Sequence, residues 1–330
     1  MSDTVQEKFE RMRKVINLQR PDRMPTQNDW GYVEYRKEEY HLGEPELPVP
    51  EGEVVVSTDG KKRYTADGGI WGVGDEQKYK DYTDVLDVDV DIFEVEEVGP
   101  EMIGEMNRIL KVKSQTHFPV PQHYGTLITR TTIEFGWEPF LMASALEPRR
   151  FGAILDRFGQ ASLAVAEGWA EATETGGLEL ISIHDDIAST RGSIMNPEWM
   201  REYVFPWYQR IFAAIHERGR KVLYVSDGNY MPLLDDILAA NPDGFYIEST
   251  SMDPCEFMRR VGKDKLFQIG INCRNVDFGT PDDIYKELKM LSSLHKEFPG
   301  MMIHKSNSNP KPGNLEVFNN CFRELLVYEA

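Results

Sequence analysis

The stretch LELISIHDDIASTRGSIMNPEWMREYVFPW, from Leu178 to Trp207, decides how the whole chain is interpreted. It begins with an apolar run typical of a buried strand, residues 178–183, and continues into the polar sequence His184-Asp185-Asp186. A helix is predicted to begin after Asn196, because asparagine is a favourable N-cap residue and Pro197 suits the first helical position. The stretch is therefore a strand that ends in an acid–base cluster and is followed by a helix.

The same alternation of strand and helix recurs from about residue 100 onward. Further strands are predicted at residues 118–124, 221–226, 244–248, 266–271 and 301–304, with helices between them. A first strand is predicted near Met24 to Asp29, and an eighth is expected before residue 178. Such alternation requires parallel pairing with right-handed crossovers, so we expect an α/β fold, a (β/α)8 TIM barrel. A doubly wound parallel sheet is the alternative.

The first 100 residues add elements before the regular repeats of residues 101–330. An amphipathic helix is predicted at residues 4–17, and a β-hairpin at Glu53–Ser57 and Lys62–Thr65 around the turn Asp59-Gly60. A chain of 330 residues is long enough for one large α/β domain or two small ones. Because the repeat runs through most of the sequence, we expect residues 1–330 to form a single domain.

The composition limits the classes of partner. Aspartate and glutamate total 55 against 37 lysines and arginines, a formal net charge of −18, which argues against nucleic-acid or anionic-membrane binding. Three widely spaced cysteines do not suggest a disulfide framework. The N-terminus has no apolar signal segment and no apolar run is long enough for a membrane span, so we expect a cytoplasmic protein.

Polar and aromatic side chains follow most of the predicted strands. In a TIM barrel the carboxyl ends of the strands form one face, which carries the active site. Buried carboxylates and imidazoles cost several kcal/mol unless they are paired or bind metal, so such a collection indicates a functional site. The residues at these strand ends are Trp30, Tyr32, Tyr124, His184, Asp185, Asp186, Asp227, Asn229, Glu248, Cys273, His304 and Asn307.

Three of these strand-end residues are candidate metal ligands. Asp227, Glu248 and His304 offer two carboxylates and an imidazole, which suits a catalytic zinc site with one open position. Their ligand types do not exclude manganese, magnesium or iron, and neither HExxH nor CxxC is present. Cys273 could add a thiolate or be a small buried residue.

Several segments resemble the uroporphyrinogen decarboxylase superfamily, especially its corrinoid-linked methyltransferase branch. They are Arg20-Pro21-Asp22-Arg23-Met24-Pro25, the glycine-rich residues 67–72, IHDDIASTRGSIMNPEWMREYVFPWYQRI (183–211), VLYVSDGN (222–229), IGINCRNVDFGTPDDI (269–284) and IHKSNSNPKPGNLEVF (303–318). The resemblance implies a (β/α)8 barrel. In the methyltransferase branch it also implies a zinc that activates a methyl donor or a thiol acceptor, and a separate corrinoid protein that docks over the barrel mouth.

The ligand pattern of that branch is matched only in part. Thiol-activating members have a His-x-Cys pair where this chain has Val225-Ser226-Asp227, and a later cysteine near residues 306–308. The resemblance to relatives that demethylate methyl ethers implies a zinc site made of carboxylates and histidine, which Asp227, Glu248 and His304 would suit. A resemblance to the decarboxylase itself would imply a cationic pocket that binds the carboxylates of the substrate. The corresponding residues 28–35 are acidic and aromatic here and would repel a polyanion.

These observations predict a methyltransferase that moves a methyl group from a small O- or N-methyl compound to cobalamin on a partner corrinoid protein. Zinc would act as the Lewis acid, His184 or Asp185 would donate a proton to the leaving group, and Asp186 would orient that histidine. The predicted substrate site consists of Trp30, Tyr32, Tyr124, Asn229, Cys273 and Asn307.

Three alternatives remain open for the function. They are methyl transfer from a methylcorrinoid to a thiol, with Cys273 joining the metal, a metal-free decarboxylase-like lyase, and a binding protein. No sequence feature determines the oligomeric state, and a homodimer is left open.

Overall fold

A computed structural model describes residues 3–35, 78–174, 176–305 and 308–327, together with the backbone of three short strands between residues 54 and 71. Its described residues contain a central sheet of seven parallel strands, which follow one another across the sheet in chain order. These strands are β1 (Trp30–Glu34), β2 (Phe118–Tyr124), β3 (Leu180–His184), β4 (Lys221–Val225), β5 (Gly244–Glu248), β6 (Leu266–Gly270) and β7 (Met301–His304).

Helices fill the connections between the strands. They are α1 (Val5–Ile16), α2 (Tyr82–Leu86), α3 (Pro100–Lys113), α4 (Ile128–Phe135), α5 (Trp137–Leu146), α6 (Pro148–Ala172), α7 (Pro197–Tyr203), α8 (Phe205–Glu217), α9 (Leu234–Ala239), α10 (Pro254–Val261), α11 (Pro281–Glu297) and α12 (Pro312–Leu325). The helix predicted after Asn196 is α7, and the Asn196 side chain caps it by accepting from the Glu198 N–H. Among the described residues, none of these helices has the length and apolarity needed to cross a membrane.

The sheet curls until its two edges approach each other. Ile303 of β7 donates its backbone N–H to the carbonyl of Pro25, which precedes β1, at 2.8 Å. Across the interior, the Tyr32 hydroxyl donates to Gln268 Oε1 at 2.6 Å, although 236 positions separate the two residues in the sequence. Parallel strands that alternate with helices and curl in this way confirm the predicted TIM-barrel-like α/β fold.

Two strand predictions need correction. The described residues contain no eighth strand of the sheet before residue 178, because the connection from β2 to β3 consists of the helices α4, α5 and α6. The first strand lies at Trp30–Glu34 rather than Met24–Asp29. Asp29 is fully buried before β1 and binds Arg11 and Arg23. Trp30 is consequently the first residue of β1 and does not follow a strand's carboxyl end, contrary to the prediction for it.

The predicted hairpin is confirmed in its strands. Val54–Val56 pairs antiparallel with Lys62–Ala66, and Gly69–Trp71 adds a third antiparallel strand. The predicted turn Asp59-Gly60 lies outside the described residues. A further short antiparallel pair, Ala188–Ser189 with Gly192–Ser193, follows β3 and shapes the loop on that side of the barrel mouth.

Alternation along the strands separates an apolar outer layer from a polar interior. Successive side chains of a strand point to opposite faces. Ile183, Tyr224 and Ile247 are fully buried on the face that packs against the helices. His184 and its register partners on the other face, Tyr124 and Val225, point into the barrel. The interior therefore carries the polar side chains that form the candidate site.

Candidate functional site at the carboxyl ends of the strands

His184 and Asp186 form the centre of the site. His184 Nε2 lies 3.0 Å from Asp186 Oδ1, and His184 Nδ1 lies 3.2 Å from the Gln122 side-chain nitrogen. The Tyr124 ring packs edge-on against the imidazole, with 4.6 Å between ring centres. Burial lowers the pKa of His184, but the hydrogen bond and charge of Asp186, aided by Asp227, raise it above its ordinary value overall. Both imidazole nitrogens are therefore engaged by protein groups.

Asp186 links this pair to the next strand end. Its Oδ1 also accepts the backbone N–H of Asp227 at 2.9 Å. Burial acts to raise the pKa of Asp186, but the hydrogen bond and charge of His184 outweigh it and hold the carboxyl below its ordinary value. Asp186 is thus an anion at neutral pH, fixed beside Asp227.

Asp227 is a carboxyl group in an acidic environment. Burial, then the negative charges of Asp186 and Glu248, raise its pKa to about 6, although His184 opposes this shift. Among the described residues, the charged side chains that act on Asp227 are thus two carboxylates and one imidazole. A carboxyl with a pKa near neutrality can donate a proton to a reacting group.

Glu248 is held by the loops that surround it. Its Oε2 accepts the Gly228 backbone N–H at 2.8 Å and the Ser251 hydroxyl at 2.7 Å. Gly228 has a φ of 81° and its Cα faces the Ala188 carbonyl, so a Cβ there would lie 2.3 Å from that oxygen. Only glycine fits this turn, which brings the Asp227 loop against Glu248.

His304 lies among aromatic rings at the end of β7. The centres of the Trp30, Tyr32 and Tyr246 rings are 5.8, 5.9 and 5.7 Å from the centre of its imidazole. Burial, with a further contribution from the charge of His184, lowers the pKa of His304 to about 4. The imidazole is neutral at neutral pH.

The predicted metal ligands do not form a metal site in this structure. In the described part of the chain, no three His, Cys, Asp or Glu side chains converge so that they could hold a metal ion. One oxygen of Glu248 is occupied by two protein donors, and His304 is surrounded by aromatic rings. The side chains of Asp227, Glu248 and His304 are therefore not assembled into a metal site among the described residues, and zinc binding by this set stays a prediction.

Asp185 also has a different role from the predicted one. It is fully buried and accepts the backbone N–H groups of Leu127, Ile128 and Thr129 at 3.1, 3.0 and 2.8 Å. The Tyr208 hydroxyl donates to the same carboxylate at 2.8 Å. Because strand side chains alternate, Asp185 points away from the interior that His184 faces. It caps α4 and is removed from the candidate proton donors.

The remaining predicted residues are distributed around the mouth. Asn229 shapes its own loop, since its Oδ1 accepts the Met231 N–H at 3.2 Å. Cys273 directly precedes a single π-helical turn, Arg274–Phe278, and burial, then Asp277 and Glu248, raise the pKa of its thiol. A thiol with a raised pKa is protonated at neutral pH as long as no metal is bound to it. Asn307 lies outside the described residues.

Four interior residues were missed because only strand ends were considered. They occupy earlier inward positions on the same strands: Gln122, Ser182, Tyr246 and Gln268. Counting back two residues from Tyr124, His184 and Glu248 identifies Gln122, Ser182 and Tyr246, and counting back two residues from Gly270 at the end of β6 identifies Gln268. Their polar side chains within otherwise apolar strands were the available signal.

Comparison with protein families gives one match. The family model described as uroporphyrinogen decarboxylase (URO-D) matches residues 131–300, just over half of the 330 residues. The matched range contains His184, Asp186, Asp227 and Glu248. No curated protein sequence matches the chain.

Comparison with solved structures supports the fold. A methyltransferase from Methanosarcina mazei superposes with a TM-score of 0.56 and 18% sequence identity, covering 83% of this chain and 75% of that chain. The 3-keto-D-glucoside 4-epimerase YcjR from E. coli gives a TM-score of 0.37 at 10% identity, covering 69% of this chain and 94% of that one. A xylose isomerase-like TIM barrel protein from Mycobacterium smegmatis gives 0.35 at 10% identity, covering 73% and 90%. At 18% identity the first likeness indicates a shared fold.

Proposed function

Since this chain belongs to the uroporphyrinogen decarboxylase family, we propose that it is a methyltransferase of that family. Its reaction would move a methyl group from a small O- or N-methyl compound to a corrinoid on a partner protein. The observation that carries this proposal is the group formed by His184, Asp186 and Asp227 at the carboxyl ends of β3 and β4.

Asp227 is the proton donor in this proposal. When the bond between methyl carbon and oxygen of a methyl ether breaks, its electron pair stays on the oxygen, which then needs a proton. Asp227 faces the mouth beside Asp186 and Glu248, and its pKa of about 6 leaves a protonated fraction near neutral pH. This assigns Asp227 the role that the sequence suggested for His184 or Asp185.

His184 and Asp186 position Asp227, the proposed proton donor. Both nitrogens of His184 are engaged, and this imidazole fixes Asp186. Asp186 in turn accepts the Asp227 backbone N–H, and after burial its negative charge is the largest cause that raises the pKa of Asp227. A corrinoid bound to the partner would supply the nucleophile that accepts the methyl group. The protein therefore needs only to bind the methyl donor with its methyl group directed outward, and to protonate the oxygen that remains after the methyl group has been transferred.

The acidic mouth argues against decarboxylation of a porphyrinogen. That substrate carries several carboxylates, and the field at Asp227 comes from two carboxylates and one imidazole. A polyanion would be repelled from such a mouth. Membership of the family is thus compatible with a changed substrate.

An anaerobic assay with reduced cobalamin and a panel of methyl ethers and methylamines tests the proposal. We expect methyl-cobalamin to form with the parent protein, and Asp227→Asn to lower kcat/KM for an ether by about 100-fold, as for loss of a general acid. Glu171→Gln, on α6 at the opposite end of the barrel, is the matched control and should behave like the parent. Absence of methyl transfer from every donor would contradict the proposal.

The zinc content of the same preparations tests the predicted ligand set separately. Because the described side chains do not converge, we expect Glu248→Gln and His304→Ala to leave the zinc content unchanged. Near-stoichiometric zinc in the parent that is lost in both variants would restore the Lewis-acid mechanism.

A further inference from the structure

One buried amide side chain of the barrel interior has a hydrogen-bond partner for its oxygen but, among the described residues, none for its nitrogen. Gln268, on β6, is fully buried, and its Oε1 accepts the Tyr32 hydroxyl at 2.6 Å. Within the part of the chain that the structure describes, its Nε2 has no hydrogen-bond partner. Leaving a buried donor unpaired is costly, so such a group in a functional barrel indicates a bound acceptor.

Gln268 lies directly below the candidate site. It is paired in register with Tyr246, and two residues later Gly270 is paired with Glu248 and His304. Two residues along a strand span about 7 Å. Because Glu248 binds the Gly228 N–H beside Asp227, the Gln268 amide lies one layer deeper than the proposed proton donor, on the same inward face.

The groups around the Gln268 amide favour an uncharged ligand. The Tyr32 hydroxyl binds the amide oxygen and lies beside Ser182. Burial raises the pKa of the Tyr32 phenol, so this layer consists of uncharged groups. An N–H donor binds an oxygen acceptor and does not pair with a cation. Among the described residues, the charged groups that act on Asp227 are the carboxylates of Asp186 and Glu248 and the imidazole of His184, so an anionic ligand would be disfavoured there.

We infer that the methyl donor is an uncharged methyl ether whose other end carries an oxygen acceptor, bound by the Gln268 amide. This inference rests on the proposed methyl transfer and specifies its substrate class. The tail oxygen accepts from Gln268 Nε2, the ether oxygen lies at Asp227, and the methyl group is directed out of the mouth. Gln268 is then a residue that determines specificity, and Tyr32 holds its amide in the binding orientation.

Binding calorimetry with four probes of similar size tests the inference without a corrinoid. The probes are 3-methoxypropan-1-ol, 1-methoxybutane without an acceptor, the anion 3-methoxypropanoate, and the cation 3-methoxypropylamine. We expect the alcohol to bind most tightly, by about tenfold over 1-methoxybutane, as for one hydrogen bond to a donor that is otherwise unpaired. This comparison uses the parent protein and does not depend on the folding of any variant.

A pair of variants assigns the preference to Gln268. Gln268→Met keeps the side-chain volume and removes the donor, so the alcohol and 1-methoxybutane should bind equally. Gln115→Met makes the same substitution at an exposed position before β2 and should keep the preference. The inference is wrong if the parent binds no probe, shows no preference, or prefers the anion or the cation, or if Gln268→Met retains the preference for the alcohol.

The outcomes separate this inference from the proposed function. Selective binding of the alcohol without methyl transfer would support the ligand class and contradict the methyltransferase. Methyl transfer at equal rates from ethers with and without the tail oxygen would support the methyltransferase and overturn the role of Gln268.

Discussion

At the scale of single residues, neighbouring charges determine what each carboxylate can do. Asp185 and Asp186 are adjacent in the sequence, yet one accepts three backbone N–H groups at the start of α4 and the other binds His184 inside the barrel. Asp227 differs from both, because burial and two nearby carboxylates raise its pKa to about 6. The same residue type therefore serves as a helix cap, as an ion-pair partner and as a candidate acid.

The pH dependence of the reaction is predicted from Asp227. The acid form exists below its pKa, so kcat/KM for a methyl ether should fall as the pH rises through about 6. Glu248→Gln removes a like charge and should lower the pKa of Asp227, which moves this descending limb to lower pH. Glu171→Gln should leave the limb in place. A limb that stays unchanged or moves upward in Glu248→Gln would contradict the assignment.

At the scale of secondary-structure elements, helix termini are tied to strand ends. Asp185, directly after β3, receives the first N–H groups of α4, and the Thr129 hydroxyl accepts the Asp186 N–H at 2.8 Å. Asp277, in the loop after β6, accepts the Ser308 hydroxyl and the Asn309 N–H beyond β7. These contacts hold the loops that carry the site, because each joins elements that are distant in the sequence.

Loss of the Asp185 cap should destabilise the protein. Asp185→Asn places an amide N–H₂ against backbone donors in a fully buried position, so we expect the free energy of unfolding to fall by about 2 kcal/mol. Urea denaturation measures this change. Asp235→Asn, at a carboxylate 84% exposed, is the control and should change stability by less than about 0.5 kcal/mol. Equal stability of the two variants would show that the cap contributes nothing.

At the scale of the whole molecule, the segment before β1 closes the barrel against β7. Asp29 is fully buried there, binds Arg11 at 2.5 Å and Arg23 at 2.7 Å, and accepts the Thr26 N–H at 2.9 Å. Pro25, in the same segment, accepts the Ile303 N–H. A buried carboxylate with two guanidinium partners therefore holds the chain where the two edges of the sheet meet.

Removing the Asp29 carboxylate should weaken the contact between the segment before β1 and β7. Asp29→Asn leaves two arginines beside an uncharged group, one of them 3% exposed, so we expect a loss of about 3 kcal/mol of stability. Hydrogen exchange of the Ile303 amide should become faster, since its acceptor lies in the released segment. Asp22→Asn changes a carboxylate that binds the same Arg11 but is 55% exposed, and its effect should be smaller. The reverse order of effects would contradict this account of closure.

Local patterns in the sequence predicted the fold class and most strand positions. Strands at 118–124, 244–248 and 301–304 lie where apolar runs and their flanking residues predicted them, because these signals are local. The predicted polar residues at the ends of β3, β4, β5 and β7 do lie at the carboxyl face of the sheet. The first strand was misplaced by several residues, since the buried Asp29 network could not be read from spacing.

Which of these residues lie close to one another depends on the tertiary structure. Curling of the sheet brings Tyr32 to Gln268, places His304 among three aromatic rings and surrounds Asp227 with acids. It also keeps the predicted metal ligands from converging within the described residues. The physical reason is that strand alternation is a property of neighbouring residues, whereas register, curl and closure depend on hydrogen bonds between segments that are far apart in the chain.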